Sequence, residues 1–507
     1  MKAKLSTLSV ETLVLIVAVL GTGMVYLDQT ALNVAIPAMQ AGLNADIGGV
    51  QWIIDIYILM LAALLLIGGV LGDRYGRVRV YAIGMVIFVV ASAAGGLAQT
   101  VGQMVAARAI QGIGGALLVP GGLAVLNATV APERRGRLIG TWGSLTSMVV
   151  ALGPTLGGWL VDNVSWRMVF FINVPLGLLA FVMAMRYVPE SYNPEQHDRL
   201  DWPGFVSLLL GLGALLFALI EQPHLGWQHP LILSTFLGGL LSLVLFVVIE
   251  WRSETPMIQL SLFRHRTFAG INLLTLIHWI ALNALFFFLP INLQQIQGFS
   301  ATQAGLAMLP LSILIVFMAQ FSGWAMERME AKTLILIGLL ITGVAFWLFG
   351  SMRLIDSYWR DIFPILLVYG VGLGLLFVPL TAVAMSSLPD QYSGVASGVN
   401  NAAARVATML SIALFGSLIA TQFHSKLGTQ LTTLALDPTT QSQILAHSAN
   451  LGATPIPQDL PTDLTAAIQQ AIRIAFAGSF EVAMLTAAGI SVVSVLVLLT
   501  FIWPDQP

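Results

Sequence analysis

The chain has 507 residues, 57% of them hydrophobic and 9% charged, against a charged share of about 25% in soluble globular domains. So much apolar sequence supplies roughly fourteen membrane spans of ~20 residues. It excludes a soluble enzyme, a nucleic-acid binder and a disordered scaffold, because a water-soluble chain of this size leaves roughly a quarter of its exposable area wet. A formal net charge of −2 gives no electrostatic case for nucleic acid, and the absence of cysteine removes disulfides, thiolate chemistry and cysteine metal sites.

Apolar runs of membrane-spanning length predict helices at 11–36, 50–72, 79–99, 103–127, 137–160, 168–186, 203–221, 230–251, 268–292, 303–326, 332–351, 361–384, 394–420 and 478–503. The first run follows Lys2 and Lys4 but continues too far for a signal peptide, so it reads as a retained helix. With the N-terminus inside, Arg74, Arg77, Arg79, Arg134, Arg135, Arg137, Arg186, Arg199, Arg252, Arg264, Arg266, Arg328 and Lys332 fall in inner connections. Only Arg167, Arg353, Arg360, Lys426 and Arg473 fall outside. That bias obeys the positive-inside rule and places both termini in the cytoplasm of a multi-pass cell (inner or plasma) membrane protein.

Residues 421–477 read as a long polar outer segment with Pro455, Pro457 and Pro461 in its middle. Its last part carries Leu464, Ala467, Ile468, Ile472 and Phe476 at helical spacing. Two readings are open, a cap on the outer face or a docking surface for an accessory protein.

An internal repeat organises the spans. Gly69, Asp73 and Arg74 after span 2 recur as Gly323, Glu327 and Arg328 after span 10, at the same internal spacing, and Pro37 in span 1 is echoed by Pro290 in span 9. The expected fold is all-α and polytopic: a six-helix bundle over 1–190, two inserted helices over 200–252, and a second six-helix bundle over 266–507 that includes the outer segment. Repeated halves around a central site are a transporter signature.

Four segments then carry a family resemblance: LDQTALNVAIP (Leu27–Pro37), GVLGDRYGR (Gly69–Arg77), RAIQGIGGA (Arg108–Ala116) and GPTLGG (Gly153–Gly158). WRMVFFINVPLG (Trp166–Gly177) and SGVASGVNNAAAR (Ser393–Arg405) add to them. The chain resembles the major facilitator superfamily, in particular its fourteen-helix drug:proton antiporter branch of the EmrB/QacA type. The resemblance implies a major facilitator fold. It also implies a conformational gate at Gly69, Asp73, Arg74, Gly76 and Arg77, and an antiporter-associated helix kink at Gly153 and Pro154 with close helix contact at Gly157 and Gly158.

Ionisable groups inside spans are costly and default to function. Counting at 1.5 Å per residue, Asp28 on span 1 lies ~12 Å, and Asp55 on span 2 ~8 Å, below the outer membrane face, with Arg108 on span 4 at a similar depth. Burial favours a protonated carboxyl and a nearby guanidinium the ionised one. Asp28 is therefore expected to carry the proton, with Arg108 tuning it and Asp55 accessory. A candidate substrate cavity gathers Tyr57, His278, Asn283, Phe287, Asn400, Asn401, Arg405 and Glu481, of which His278 equally suits a packing role.

The reading that follows is a proton-coupled efflux antiporter for amphipathic compounds, cationic ones among them, working by alternating access with protons and a small substrate as partners. No cofactor or metal is expected, and no phosphate-cradling glycine loop suggests ATP. A dedicated lipid or metabolite exporter on the same fold stays open, as does an integral-membrane lipid-modifying enzyme. The enzyme would need clustered catalytic groups, whereas the seven histidines are scattered.

Overall fold

The structure is a computed structural model that describes residues 9–130, 132–192, 201–352, 357–389, 392–434 and 436–502. Lys2, Lys4, Arg199 and Arg353 of the charge pattern lie outside them. Among the described residues, fourteen helices are long and apolar enough to cross a membrane, and no strand occurs. In chain order they are α1 Val10–Leu43, α2 Ile47–Tyr75, α3 Arg77–Leu97, α4 Val101–Thr129, α5 Pro132–Asn163, α6 Met168–Tyr187 and α7 Trp202–Leu225. There follow α8 Pro230–Arg252, α9 Arg266–Ile291, α10 Ala301–Ala325, α11 Ala331–Gly350, α12 Phe363–Ser386, α13 Ser393–Thr432 and α14 Thr462–Val497. Each overlaps one predicted span, as expected where lipid offers no partner to an exposed peptide group and only self-satisfied helices can cross.

Local signals set the ends. The Thr100 side chain accepts from Gln103 N at the start of α4, and Ser300 forms a reciprocal capping box with Gln303 at the start of α10. Between α1 and α2, Asn44 adopts a left-handed φ of 48° and Asp46 Oδ1 accepts from Gly49 N at 2.8 Å. Pro37 does not end α1, as the sequence reading had it; the helix runs through it to Leu43. Neighbouring helices tolerate the missing N–H in a membrane setting.

The predicted outer segment 421–477 is also corrected. α13 continues to Thr432 and α14 starts at Thr462, so the connection between the helices shrinks to 433–461 and holds a short helix, Pro438–Ala446. At 40 residues, α13 is ~60 Å long, about twice a bilayer core. Its extension survives because Phe423, Leu427 and Leu431, four residues apart, are buried, and Phe423 packs edge-on to Phe476 of α14. Ile444 and Leu451 of the connection are buried as well, and His424 Nδ1 lies 2.8 Å from Ser448 Oγ.

The chain divides into two compact units. One comprises Met1–Ala38, Trp52–Gly213 and Gly239–Ile258, the other Met39–Gln51, Ala214–Gly238 and Gln259–Pro507. In the first, α4 lies against α2 and α3 through glycines. A Cβ on Gly112 would sit 2.5 Å from the Tyr57 carbonyl oxygen, and one on Gly114 2.6 Å from Phe88 N. In the second, Ile271 and Leu274 of α9, Leu339 of α11, Leu376 of α12 and Val497 of α14 form one apolar core.

Candidate functional site

The closely packed glycines of α4 bring Arg108, one to two turns before them, up against α1 and α2. Arg108 Nη1 donates to Asp28 Oδ2 of α1 at 2.5 Å and to Gln111 Oε1 at 2.8 Å. Its Nε donates to the Ile53 carbonyl at 3.3 Å, and its guanidinium lies 4.0 Å from the centroid of the Tyr57 ring. Asp28 Oδ1 accepts from Gln111 Nε2 at 2.9 Å and from Asn173 Nδ2 of α6 at 3.0 Å. Asn173 Nδ2 also lies 3.0 Å from Ser92 Oγ of α3, whose hydroxyl donates to the Phe170 carbonyl at 2.8 Å. All five polar side chains are at most 1% exposed.

Helices α4 and α6 thus converge on the α1 carboxylate, with α3 bonded to it through Asn173. The ionised form is well served, with three donors, one of them a fixed cation. Two polar atoms are left over in the same buried cluster, Arg108 Nη2 and Asn173 Oδ1, neither with a hydrogen-bond partner. The cluster can therefore offer a donor or an acceptor beyond those the ionised carboxylate uses.

Asp55 is a different case. It is fully buried on α2, and neither carboxylate oxygen has a partner. The structure brings Asp28 and Arg108 together and leaves Asp55 unbonded to both.

The loop between α2 and α3 is built by charge and by one backbone twist. Asp73 Oδ1 accepts from Arg77 Nε at 2.7 Å, and Arg74 is exposed, with its guanidinium 5.2 Å from the Tyr75 ring. Gly76 has φ 107°, a conformation open to glycine. A Cβ there would also meet the Glu190 carboxyl at 2.8 Å. That carboxylate accepts from Val78 N at 2.9 Å and Arg79 N at 3.1 Å, so Glu190, beyond the end of α6, caps α3. Gly69 makes only ordinary contact with Pro120, whereas a Cβ on neighbouring Gly68 would lie 2.3 Å from the Ala116 carbonyl. Near this end of α2 the tight approach to α4 is thus at Gly68, not Gly69.

On α5, Pro154 lies within a continuous helix, and Gly153, Gly157 and Gly158 are buried. Cβ atoms on Gly153 and Gly157 would collide with Thr30 and Ala31 of α1, two and three residues from Asp28.

The residues named for a cavity are dispersed. Tyr57 is in the core under Arg108. In the second unit, His278 Nε2 lies 3.2 Å from Thr342 Oγ1, both fully buried, and Phe287 packs edge-on to Phe288. Asn400 Nδ2 donates to Thr275 Oγ1 at 2.8 Å and Asn272 Oδ1 at 3.3 Å. Asn283 and Asn401 donate to carbonyls four residues back in their own helices, at Trp279 and Ser397. Arg405 and Glu481 are partly buried.

Sequence reading passed over Gln111, Asn173, Ser92 and Glu190. Gln111 was visible as the polar residue three positions after Arg108, on the same helix face. Asn173 was visible only as an amide within an apolar run.

Residues 18–412 match the Major Facilitator Superfamily. The chain is 32% identical over 447 residues to the multidrug resistance protein Stp of Mycobacterium tuberculosis (strain CDC 1551 / Oshkosh), covering 87% of this chain and 82% of that protein. It is 34% identical to the methylenomycin A resistance protein of Bacillus subtilis (strain 168), over 82% and 89% of the two chains. With the tetracenomycin C resistance and export protein of Streptomyces glaucescens it shares 30% identity over 96% and 90%. Among solved structures, a bacterial homolog of the human lysosomal transporter Spinster in an inward-facing, unoccupied conformation superimposes with TM-score 0.66 at 14% identity, over 99% and 100% of the chains. A D-xylose–proton symporter gives 0.61 at 15%, over 97% and 98%. At such identities these likenesses concern the fold.

Proposed function

We propose, from the premise that this chain belongs to the Major Facilitator Superfamily, that it is a proton-coupled exporter of small amphipathic compounds, cationic ones among them. It is a multi-pass membrane transporter rather than an enzyme. The resistance and export functions named for its relatives support the direction and the cargo class.

The observation that carries proton coupling is the buried Asp28–Arg108 pair. With Asp28 ionised the pair is neutral; protonation leaves one uncompensated positive charge on Arg108. A cationic cargo is thereby repelled when the proton is on and tolerated when it is off, which is the exclusion an antiporter needs. Asp55, buried without a partner, is the accessory carboxylate that offsets a cationic cargo. One proton moving through 100 mV supplies about 2.3 kcal/mol, enough for roughly a 50-fold gradient of a neutral solute.

Six-helix halves over 1–190 and 266–507 flank the inserted pair, and Gly69, Asp73, Arg74, Gly76 and Arg77 form the gate. Both termini are cytoplasmic, in keeping with the charge bias of the loops. Of the candidate cavity residues, partly exposed Asn283, exposed Asn401 and partly buried Glu481 are the ones that meet cargo, and Arg405 is partly buried beside them in sequence. Burial of Ile444 and Leu451 within their own unit supports a cap over 433–461 rather than a docking site for an accessory protein.

The test is transport of a fluorescent lipophilic cation in proteoliposomes with an imposed pH gradient. Wild-type protein accumulates it against its gradient, and Asp28→Asn folds but does not. Wild-type accumulation by Asp28→Asn overturns the proposal.

A further inference from the structure

The first unit holds a second pair of buried carboxyls, at the end of the inserted hairpin where α7 begins and α8 finishes. Asp201 is 8% exposed and Glu250 2%. Each has one oxygen held by a backbone amide: Asp201 Oδ1 accepts from Gly204 N at 2.8 Å, and Glu250 Oε2 from Ile258 N at 2.9 Å. The other oxygens, Asp201 Oδ2 and Glu250 Oε1, are buried and lack a donor. They converge, since both lie against the spot a side chain at Gly204 would fill, 2.8 and 2.7 Å from a Cβ there. The two unpartnered oxygens therefore flank one and the same point.

Two facing carboxylates without a counter-ion repel, and one proton between them turns the repulsion into a hydrogen bond. Among the described residues, the charged groups that neighbour the pair in sequence supply no counter-ion; Arg199 lies outside them. Arg252 and Glu254, which follow Glu250, are exposed. Ile67 and Leu71 of α2, Phe205 and Leu209 of α7 and Met257 of the following segment form an apolar cluster in this part of the unit. Among the described residues no third His, Asp or Glu joins the pair to make a metal site, and a hard cation takes six or more oxygens. Helix polarity places the proton. Asp201 precedes the first turn of α7, where a negative charge is stabilised, while Glu250 is in the last turn of α8, where it is not.

We propose that Asp201 and Glu250 are a proton-binding site separate from the Asp28 cluster, with Glu250 Oε1–H donating to Asp201 Oδ2. The shared proton clasps α7 to α8. Through Glu250 Oε2 it also fixes the Ile258 amide, at the point where the chain passes from the first unit into the second. Rising pH removes the proton, sets two anions face to face and loosens that connection. The site is thus a pH-sensitive restraint on the inserted hairpin, and it does not depend on which group carries the transported proton.

A hydrophobic carbodiimide, which adds to protonated carboxyls, tests this on the purified protein in lipid nanodiscs, with the modified peptides mapped by mass spectrometry. The peptide bearing Glu250 labels at neutral pH, and the label falls about tenfold per pH unit above its midpoint, as for a single proton. Asp201→Asn removes the neighbouring charge and lowers that midpoint by about one unit or more. Glu250→Gln keeps the hydrogen bond without a titrating proton, so its melting temperature loses the decline with rising pH that the wild type shows. An unmoved midpoint in Asp201→Asn shows an isolated buried acid and overturns sharing. Suppression of labelling by sodium or calcium chloride overturns the proton in favour of a cation. A melting curve of Glu250→Gln that tracks the wild type at every pH overturns the clasp.

Discussion

Asn173 Nδ2 lies 3.0 Å from Asp28 Oδ1, joining α6 to α1 inside the first unit, while Asn173 Oδ1 has no partner. The amide serves an ionised Asp28 with its N–H.

Removing that donor acts on the ionised state alone. A hydrogen bond to a charged group contributes about 1.5–3 kcal/mol, and one pH unit corresponds to about 1.36 kcal/mol. Asn173→Ala is therefore expected to move the pH of half-maximal transport up by about one to two units, with little change in KM for cargo. A residue that merely fills space would lower the rate uniformly and leave the pH profile in place. Transport measured from pH 5.5 to 9 separates the two.

Arg108 is the one cation bonded to Asp28. Arg108→Ala leaves an uncompensated buried carboxylate, a change that costs about 3–5 kcal/mol, and the variant is expected to melt well below the wild type. Adding Asp28→Asn removes the stranded charge and restores most of that loss, but not proton-driven transport. Thermal melting of the two singles and the double, alongside transport, checks both halves of the expectation. A double variant no more stable than Arg108→Ala alone would show that the pair contributes little through its charge.

The fold was legible because fourteen apolar runs are long, and the loop charges and repeat order them. Depth was legible too: counting 1.5 Å per residue put Asp28 and Arg108 on one level, where they meet. Direction around the helix was not. Asp55 is two residues from Tyr57, whose ring lies on Arg108, and two residues turn a helix by about 200°. A count along the helix axis therefore still left Asp55 unbonded to the guanidinium. Asn173 was hidden for a related reason: within the apolar run Met168–Tyr187 a single amide carries no sign of which neighbour it faces. The extension of α13 was readable in Phe423, Leu427 and Leu431, but the polar residues between them masked the stripe.

Gly76 and Glu190 form a pair that a double-mutant cycle can resolve. Gly76→Ala strains a left-handed backbone and crowds the carboxyl, and is expected to cost about 1–3 kcal/mol. Glu190→Ala removes the cap of α3 at about 1 kcal/mol. Because both act on the same few atoms, the double variant should lose less than the sum of the singles. Chemical denaturation in mild detergent reads the three values, and strict additivity would mean that the carboxyl and the glycine do not constrain each other.

The turn between α1 and α2 gives a pH dependence of definite sign. Asp46 Oδ2 lies 3.1 Å from His224 Nε2. That hydrogen bond, with a further one from Gly49 N and against partial burial, holds the Asp46 carboxyl below the usual carboxylate range. A carboxyl depressed in the folded state adds stability above its unfolded titration near pH 4 and loses it as pH falls through the folded value. His224→Ala removes the largest cause of the depression, so its melting temperature should fall less steeply than the wild type's between about pH 5 and pH 3. Asp46→Asn should flatten the same limb and leave no further effect for His224→Ala to add. Parallel acid limbs in wild type and His224→Ala would mean that solvent screening at this partly exposed pair cancels the bond.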